Sequence, residues 1–537
     1  MSKKAILVTS IHEYNHLDSR YQNADYYATN HYSFLKLKDY GVKYLYADPE
    51  ETPYDYDSII ELASTWYRNA SGFDNFSKEG ISFAPLITRS LISSFSNDFR
   101  NFNAILPLTR KYTSILVANN AEQSFIRVAS VFDKKIQFFE SDAKPNPIFS
   151  SSPTRTVITS FLNREIRSYI ARKLQAPFLS SIRKKILVWS DWSYKEIFRT
   201  RKDSLYQNSY APWRGFYITR KKEYISNVKE IFPDSLQDDF LSNESLSKRM
   251  KLKNIDWDER LIDLFIDSIN RIYSDSYLQL RESYTALVYA LKLYTPRCVI
   301  LPGETSFSHI LILQIAKSMG IKRVMSLDGF PMLLEKSLNC YDESGDQLLF
   351  SAYIGYGSAA KDQYIERGIP LEKIKVSIPP ICNKLALKKE KARGKSIGVV
   401  IMSYYPNQHN PQARWDMRYK FVSDIIKLLI ELGESSVNLK IKDGLGSRNE
   451  AESYEKYFAL SGINSSKVSI IHGESSEAIA SASYIIGQAS SACFESALLE
   501  KKYYVYEPKE NGITDEMLNS TIAEINDVPR TIDELRS

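Results

Sequence analysis

The chain contains few cysteines and no long apolar run. Only 4 of its 537 residues are cysteine, and none forms a Cys-x-x-Cys pair, which argues against a structural zinc site or a disulfide framework. No apolar segment approaches the roughly 20 residues that a membrane-spanning helix needs, and the apolar stretch near the start is too short for a signal peptide. The sequence therefore predicts a cytoplasmic protein in a reducing compartment.

Several sequence motifs are also missing. Neither G-x-x-x-x-G-K-[ST] nor G-x-G-x-x-G occurs, which argues against P-loop ATPases and typical dinucleotide oxidoreductases. No basic zipper, RNP motif or zinc finger is present, so no nucleic-acid partner is expected. Hydrophobic residues make up 43% and charged residues 25%, which is the balance of an ordinary globular protein. The net charge of +6 is compatible with an anionic substrate or an anionic membrane surface.

Short apolar runs alternate with amphipathic ones along most of the chain. The clearest unit joins strands at 298–301 and 323–326 through a helix at 308–319, and the same pattern restarts beyond residue 396. Such alternation predicts parallel sheets that are covered by helices. Residues 386–396 are charged and poor in large apolar side chains, and we interpret them as a linker.

The predicted fold is α/β, with two doubly wound Rossmann-like domains that face each other. The first domain covers residues 1–385 and includes a mostly helical insertion at about 140–295, and the second covers residues 397–537. Ligands of open α/β sheets bind beyond the carboxyl ends of the strands. The cleft between the two domains is therefore the expected active site.

The strongest local motif lies in the second domain. A predicted strand ends at Gly487, and after Gln488 a helix begins beyond Ser490 and Ser491. The free N–H groups of this helix and the two hydroxyls can hold a phosphate. Glu495, one turn further along, would face the same ligand and accept hydrogen bonds from a ribose diol. The alternative is that a serine only caps the helix and Glu495 is solvated.

This order of residues, continued by Glu-Ser-Ala-Leu-Leu, Glu-Lys-Lys, a strand and Glu507-Pro508, resembles the donor-binding end of GT-B glycosyltransferases. The resemblance is to members that build bacterial capsule, O-antigen and related surface polymers. It implies transfer of a sugar from a nucleotide-sugar donor to a surface-polysaccharide or lipid-linked acceptor, with inversion, without a bound metal and without a cofactor. Family members carry a Lys-x-His-Pro element where this chain lacks the histidine, and Lys440 or Lys442 would neutralise the donor phosphate.

Several candidates for the catalytic base lie in the first domain. The region 302–331 is similar to the last βαβ unit of the family's acceptor domain, and Asp328 with its following glycine matches half of an acidic-acidic-Gly element that carries the base in relatives using CMP-sialic acid. A tight turn accounts for Asp-Gly equally well. GT-B enzymes often keep a general base on an acceptor-domain loop. Further candidates, each following a predicted strand, are His12, Glu13, Glu304 and Asp191.

Two loops offer additional ligand contacts. His12 and His16, at i and i+4, have metal-ligand spacing, but their surroundings are not clearly helical and no third ligand presents itself. After the first strand of the second domain, Tyr404 is placed to stack on a base and Arg414 to bind phosphate. A solvated loop is the alternative for both.

Residues 155–175 combine one apolar helical face with arginines and lysines on other faces. Such a helix could lie on an anionic inner membrane and reach a lipid-linked acceptor, and a core-facing helix with a solvated basic side explains the pattern as well. The expected location is thus the cytoplasm or the inner face of the bacterial membrane. Other functions that fit the predicted fold are a CDP-alcohol polyol-phosphate transferase, a sugar-nucleotide 2-epimerase and a non-catalytic nucleotide-sugar-binding assembly subunit.

Overall fold

The computed structural model describes most of the chain. The described residues are 4–18, 20–21, 23–45, 56–68, 74–119, 121–132, 135–141, 186–189, 204–207, 231–233, 236, 242–301, 307–326, 350–366, 369–377, 385, 396–403, 417–441, 447–488, 490–508, 529 and 531–536. They form three parallel sheets with helices between the strands. Within these ranges, no helix combines the length and the apolarity that crossing a membrane requires.

The first sheet has five parallel strands in the order β3-β2-β1-β4-β5. Its central strand forms because four consecutive residues, 5–8, are apolar and fully buried. Asn30 begins the second helix by accepting a hydrogen bond from the Ser33 N–H group at 2.8 Å. The strands are β1 (Lys4–Val8), β2 (Asp25–Ala28), β3 (Lys43–Tyr44), β4 (Ser114–Ala118) and β5 (Ile136–Phe139), and the helices are α1 (Ile11–Asp18), α2 (His31–Leu37), α3 (Tyr56–Thr65), α4 (Ala84–Lys111) and α5 (Gln123–Ser130).

The second sheet has six parallel strands in the order β11-β10-β9-β8-β6-β7. Its strands are β6 (Ile186–Trp189), β7 (Ser204–Gln207), β8 (Cys298–Leu301), β9 (Lys322–Ser326), β10 (Ala352–Tyr356) and β11 (Ile374–Ser377). Its helices are α6 (Asn243–Leu252), α7 (Glu259–Tyr294), α8 (Phe307–Ser318) and α9 (Gly357–Glu366). In the described part of the segment predicted as a mostly helical insertion, helices α6 and α7 are accompanied by strands β6 and β7; β6 pairs with both β7 and β8.

The third sheet has five parallel strands in the order β14-β13-β12-β15-β16. Its strands are β12 (Val400–Met402), β13 (Val437–Lys440), β14 (Val468–Ile471), β15 (Tyr484–Gly487) and β16 (Lys502–Val505). Its helices are α10 (Met417–Glu431), α11 (Ser447–Leu460), α12 (Ser475–Ser481), α13 (Ser491–Leu498) and α14 (Ile532–Arg536).

The predicted fold class, α/β with separate Rossmann-like units, is confirmed, but the residues before 385 form two sheets where the sequence predicted one doubly wound domain. One apolar core joins these two sheets: it contains Ala5 and Ile115 from the first and Val299 and Tyr353 from the second. Alternation of apolar runs reveals strands, but the number of sheets depends on which strands pair, and pairing is a long-range property.

A buried polar network lies inside this shared core. Asp98 of α4 is completely buried, and both of its carboxylate oxygens accept hydrogen bonds from Arg127 of α5, at 2.7 and 3.0 Å. Ser124 of α5 and Ser268 of α7 also donate to this carboxylate, at 2.7 and 3.3 Å. Asn101 completes the network by donating to Ser124 at 2.8 Å. The network therefore ties together three helices of the shared core.

The first and third sheets meet where α2 packs against α11. The Nδ1 atom of His31 lies 2.7 Å from the Tyr457 hydroxyl, and the two rings stack with centroids 6.0 Å apart. Tyr32 and Leu35 of α2 pack against the apolar core of the third sheet. On one side His31 also contacts Tyr44. On the other side Tyr457 contacts Tyr419, which contacts Tyr454, both on helices that cover the third sheet.

Candidate functional site

The carboxyl edge of the third sheet is the first candidate site. Counted along the chain, its strand order is 3-2-1-4-5, so the order reverses between β12 and β15. The chain leaves neighbouring strands in opposite directions at such a point, and the crevice that results is where ligands of open α/β sheets bind. Ser403 follows β12 at this edge, and Gln488 follows β15.

The turn from β15 into α13 is compact and depends on Gly487. A Cβ atom on this residue would lie 2.4 Å from the Tyr503 hydroxyl oxygen and 2.9 Å from the Met402 Cβ atom, so no side chain fits. Ser490 then adopts an extended backbone conformation and caps α13, and its hydroxyl oxygen accepts from the Ala492 N–H group at 3.3 Å. Ser490 is therefore the N-cap residue of α13.

This cap leaves the turn able to hold an anion. The Ala492 and Cys493 N–H groups are satisfied within the turn, by the hydroxyl and the carbonyl oxygen of Ser490 respectively. The Ser490 hydroxyl accepts one bond and donates its own proton to the Tyr503 hydroxyl oxygen. The first N–H groups of a helix have no partner within the helix. The N–H group of Ser491, the first residue of α13, therefore points out of the helix end. Glu495 follows four residues later on the same helical face and is half-buried.

Lys440 is the last residue of β13 and is 1% exposed. It pairs in register with Met402, the last residue of β12, and its Nζ atom donates to the carbonyl of Ile441. Lys440 therefore lies at the carboxyl edge of the third sheet, and its ammonium is buried and bonded to the backbone. The second predicted lysine, Lys442, lies outside the described residues, as do Tyr404 and Arg414.

The carboxyl edge of the first sheet has the same order, 3-2-1-4-5, and its strand order reverses between β1 and β4. Glu13 lies here on α1 and is 2% exposed. Its carboxylate accepts hydrogen bonds from the Thr9 N–H group at 2.6 Å, the Thr9 hydroxyl at 2.8 Å and the Ser141 hydroxyl at 2.9 Å. Glu13 thus connects the end of β1 to the segment that follows β5.

His12 and His16 are exposed on the same helix as Glu13. The expectation that this segment is not clearly helical is wrong: residues 11–18 form α1, because Tyr14 and Leu17 bury one side of it against the sheet. No cluster of three or more His, Cys, Asp or Glu side chains that could hold a metal ion occurs in the described part of the chain.

The other predicted bases, Asp191, Glu304 and Asp328, lie outside the described residues. Each follows a strand of the second sheet in the sequence: β6 ends at Trp189, β8 at Leu301 and β9 at Ser326. These three strands are consecutive neighbours in the sheet, in the order β9-β8-β6. The amphipathic segment 155–175 also lies outside the described residues.

One residue beside the β15–α13 turn was not predicted from the sequence. The Tyr503 hydroxyl in β16 donates to the Gln488 carbonyl at 2.8 Å, inside the turn that leads to α13. Burial raises the pKa of this hydroxyl well above its ordinary value. In the sequence Tyr503 is one of several tyrosines in a strand, and only the pairing of β15 with β16 places it beside Gly487.

Comparisons with known proteins give distant matches only. No family model matches the sequence, and no curated protein matches it. Among solved structures, the UDP-GlcNAc 2-epimerase from Neisseria meningitidis bound to UDP-GlcNAc is 12% identical with a TM-score of 0.37, over 66% of this chain and 89% of the epimerase. The wall teichoic acid polymerase TagF is 10% identical with a TM-score of 0.31, over 70% of this chain and 88% of the polymerase.

A glycosyltransferase from Rickettsia africae is 11% identical with a TM-score of 0.31, over 66% of this chain and 86% of that protein. Likeness at these identities and TM-scores carries no conclusion about what this chain binds or which reaction it performs.

Proposed function

We propose that this chain is a GT-B-type glycosyltransferase that binds the nucleotide of a nucleotide-sugar donor at the carboxyl edge of the third sheet. The observation that carries the proposal is the β15–α13 turn. Gly487 has no room for a side chain, Ser490 caps the helix, and the helix begins beside the point where the strand order reverses. This is the local structure expected of a phosphate site.

In this proposal the donor phosphate lies against the first turn of α13. The Ser491 N–H group donates a hydrogen bond to its oxygens, and the positive end of the helix dipole stabilises its charge. Glu495, on the same face of α13 as Ser491, accepts hydrogen bonds from the ribose diol. The buried ammonium of Lys440 donates to the Ile441 carbonyl and acts on the donor phosphate by its charge at the same edge.

On the acceptor side, the base removes a proton from the acceptor hydroxyl. The oxygen then attacks the anomeric carbon of the donor sugar, and the bond from that carbon to the phosphate oxygen breaks. Charge that accumulates on the departing phosphate is stabilised by the α13 turn. Attack opposite the leaving group inverts the anomeric carbon, and this turn supplies the electrostatic stabilisation without a metal ion.

Among the described candidates for the base, His12 fits better than Glu13. A base has to reach the acceptor hydroxyl. Glu13 is 2% exposed and its carboxylate already accepts three hydrogen bonds, whereas His12 is exposed at the same sheet edge. Glu13 therefore serves to hold the loop, and His12, Asp191, Glu304 and Asp328 are the candidates for proton removal.

Thermal unfolding in the presence of CMP, CDP, UDP, GDP and dTDP tests the donor site, because a ligand that binds only the folded protein raises its unfolding temperature. We expect one nucleotide to stabilise the wild-type protein and Glu495→Gln to reduce that stabilisation. The matched control is Glu455→Gln, a glutamate exposed on α11 away from the turn, which should leave the shift unchanged.

The nucleotide that binds also separates the related functions. CMP would favour a sialic- or Kdo-type donor, CDP a polyol-phosphate transferase, and UDP, GDP or dTDP a hexose transferase or a sugar-nucleotide 2-epimerase. Product analysis with the corresponding nucleotide sugar, alone and with acceptor, then distinguishes epimerisation from transfer. A folded protein that no nucleotide stabilises would contradict the proposed donor site and favour a non-catalytic assembly subunit.

A further inference from the structure

Tyr503 occupies the space that Gly487 leaves open beneath the β15–α13 turn. Ile485 and Tyr503 are paired in register, so both side chains lie on the face of the sheet that α12 and α13 cover. From there the Tyr503 hydroxyl reaches the Gln488 carbonyl at 2.8 Å. A Cβ atom at position 487 would collide with this oxygen, so the Tyr503 hydroxyl fits here only because residue 487 is glycine.

The surroundings keep the Tyr503 hydroxyl protonated. Burial raises its pKa, and the nearby Cys493 thiol and Glu507 carboxyl raise it further, while a hydrogen bond from Ser490 opposes the rise. Glu507 is itself 1% exposed, and burial raises the pKa of the Cys493 thiol to about 11. A phenol in this environment donates its proton throughout the neutral pH range.

We propose that Tyr503 is a positioning residue for the donor phosphate: by holding both the Gln488 carbonyl and the Ser490 hydroxyl, it fixes the start of α13 and hence the Ser491 N–H group. The inference rests on the proposed function. Tyr503 does not itself contact the nucleotide in this proposal. It acts on the turn through two contacts of one hydroxyl, which donates to the Gln488 carbonyl and accepts from Ser490.

The adjacent tyrosine provides a matched control. Tyr504 lies on the opposite face of the same strand, is 47% exposed and packs edge-on against Tyr484 with ring centroids 5.7 Å apart. Tyr503→Phe and Tyr504→Phe each remove one hydroxyl from the same strand. Only the first removes a hydrogen bond to the turn.

Calorimetric titration of wild type, Tyr503→Phe and Tyr504→Phe with CMP, CDP, UDP, GDP and dTDP tests the inference. For the nucleotide that binds, we expect Tyr503→Phe to raise Kd about threefold to tenfold, which corresponds to the loss of one hydrogen bond that orders the site. Tyr504→Phe should leave Kd within about twofold of wild type. Thermal unfolding of each variant shows how much protein is folded at the titration temperature.

A purely structural role predicts a different result. In that case Tyr503→Phe lowers the unfolding temperature but leaves the Kd of the folded protein unchanged, and the inference is wrong while the donor site stands. If Tyr503→Phe is too unstable to titrate, Gly487→Ala applies the same test, because its Cβ atom displaces the Tyr503 hydroxyl from the turn. A wild-type protein that binds none of the five nucleotides overturns both the donor site and the inference.

Discussion

Removal of the Asp98 carboxylate should destabilise the shared core of the first two sheets strongly. Asp98 is completely buried, and the side chain of its partner Arg127 is 19% exposed. Asp98→Ala leaves this guanidinium without its carboxylate and also removes the acceptor for Ser124 and Ser268. Breaking a buried ion pair by deleting one partner costs about 3–5 kcal/mol, because the remaining charge stays desolvated.

Urea unfolding followed by tryptophan fluorescence and by circular dichroism measures this loss. As a control, Glu61→Gln removes the ion pair to Lys253, in which both side chains are nearly half exposed. Exposed pairs contribute about 0–1 kcal/mol, so the control should remain close to wild type. The two probes should shift together for Asp98→Ala, since α4, α5 and α7 share one core.

A double-mutant cycle with Arg127→Ala decides whether the ion pair is the cause. If it is, the double variant should be less destabilised than the sum of the two single variants by about 2 kcal/mol or more, because no charge is then left buried. Additivity of Asp98→Ala and Arg127→Ala within about 0.5 kcal/mol would refute the reasoning. It would mean that lost packing, and not the unpaired charge, sets the cost.

Three further outcomes follow from other contacts. Gly487→Ala should destabilise the third sheet by about 1–3 kcal/mol through overpacking, and Tyr503→Phe should relieve part of that cost in urea unfolding of the double variant. Burial raises the pKa of Cys298 and Cys493 to about 11, so their stabilising contribution is complete below pH 9 and is lost as the pH rises to about 11. The double variant Cys298→Ala/Cys493→Ala should flatten this alkaline loss of stability in a pH series of urea midpoints. Tyr457→Phe removes the hydrogen bond between α2 and α11, and amide hydrogen exchange should then rise in both helices, with Tyr504→Phe as a control that leaves it unchanged.

Much of the local structure was predictable from the sequence. The helix expected at 308–319 is α8 at Phe307–Ser318, and the Gly487–Ser490 turn begins α13 as expected. Both signals are local: a 3.6-residue period of apolar side chains, and a capping serine after a strand. The same reasoning gave the α/β class, because it requires only the alternation of strands and helices.

The features that were not predicted depend on residues far apart in the chain. Glu13 was expected as a catalytic candidate, and local sequence could not predict its hydrogen bond from Ser141, 128 positions away. The position of Tyr503 beside Gly487 follows from the register of β15 and β16. The presence of two sheets in the first domain follows from which strands pair. Periodicity carries no information about such partners, since it describes which side of an element is buried and not what covers it.

The contact between α2 and α11 also has a consequence for biosynthesis. His31 and Tyr457 are separated by 426 positions, so a ribosome that adds about 5–20 residues per second needs roughly 20–85 s to make the second residue after the first. During that interval Tyr32 and Leu35 have no third-sheet core to pack against. The nascent N-terminal region must therefore keep an apolar helix face uncovered until its last domain emerges, which makes this stage the one at which holding chaperones would matter most.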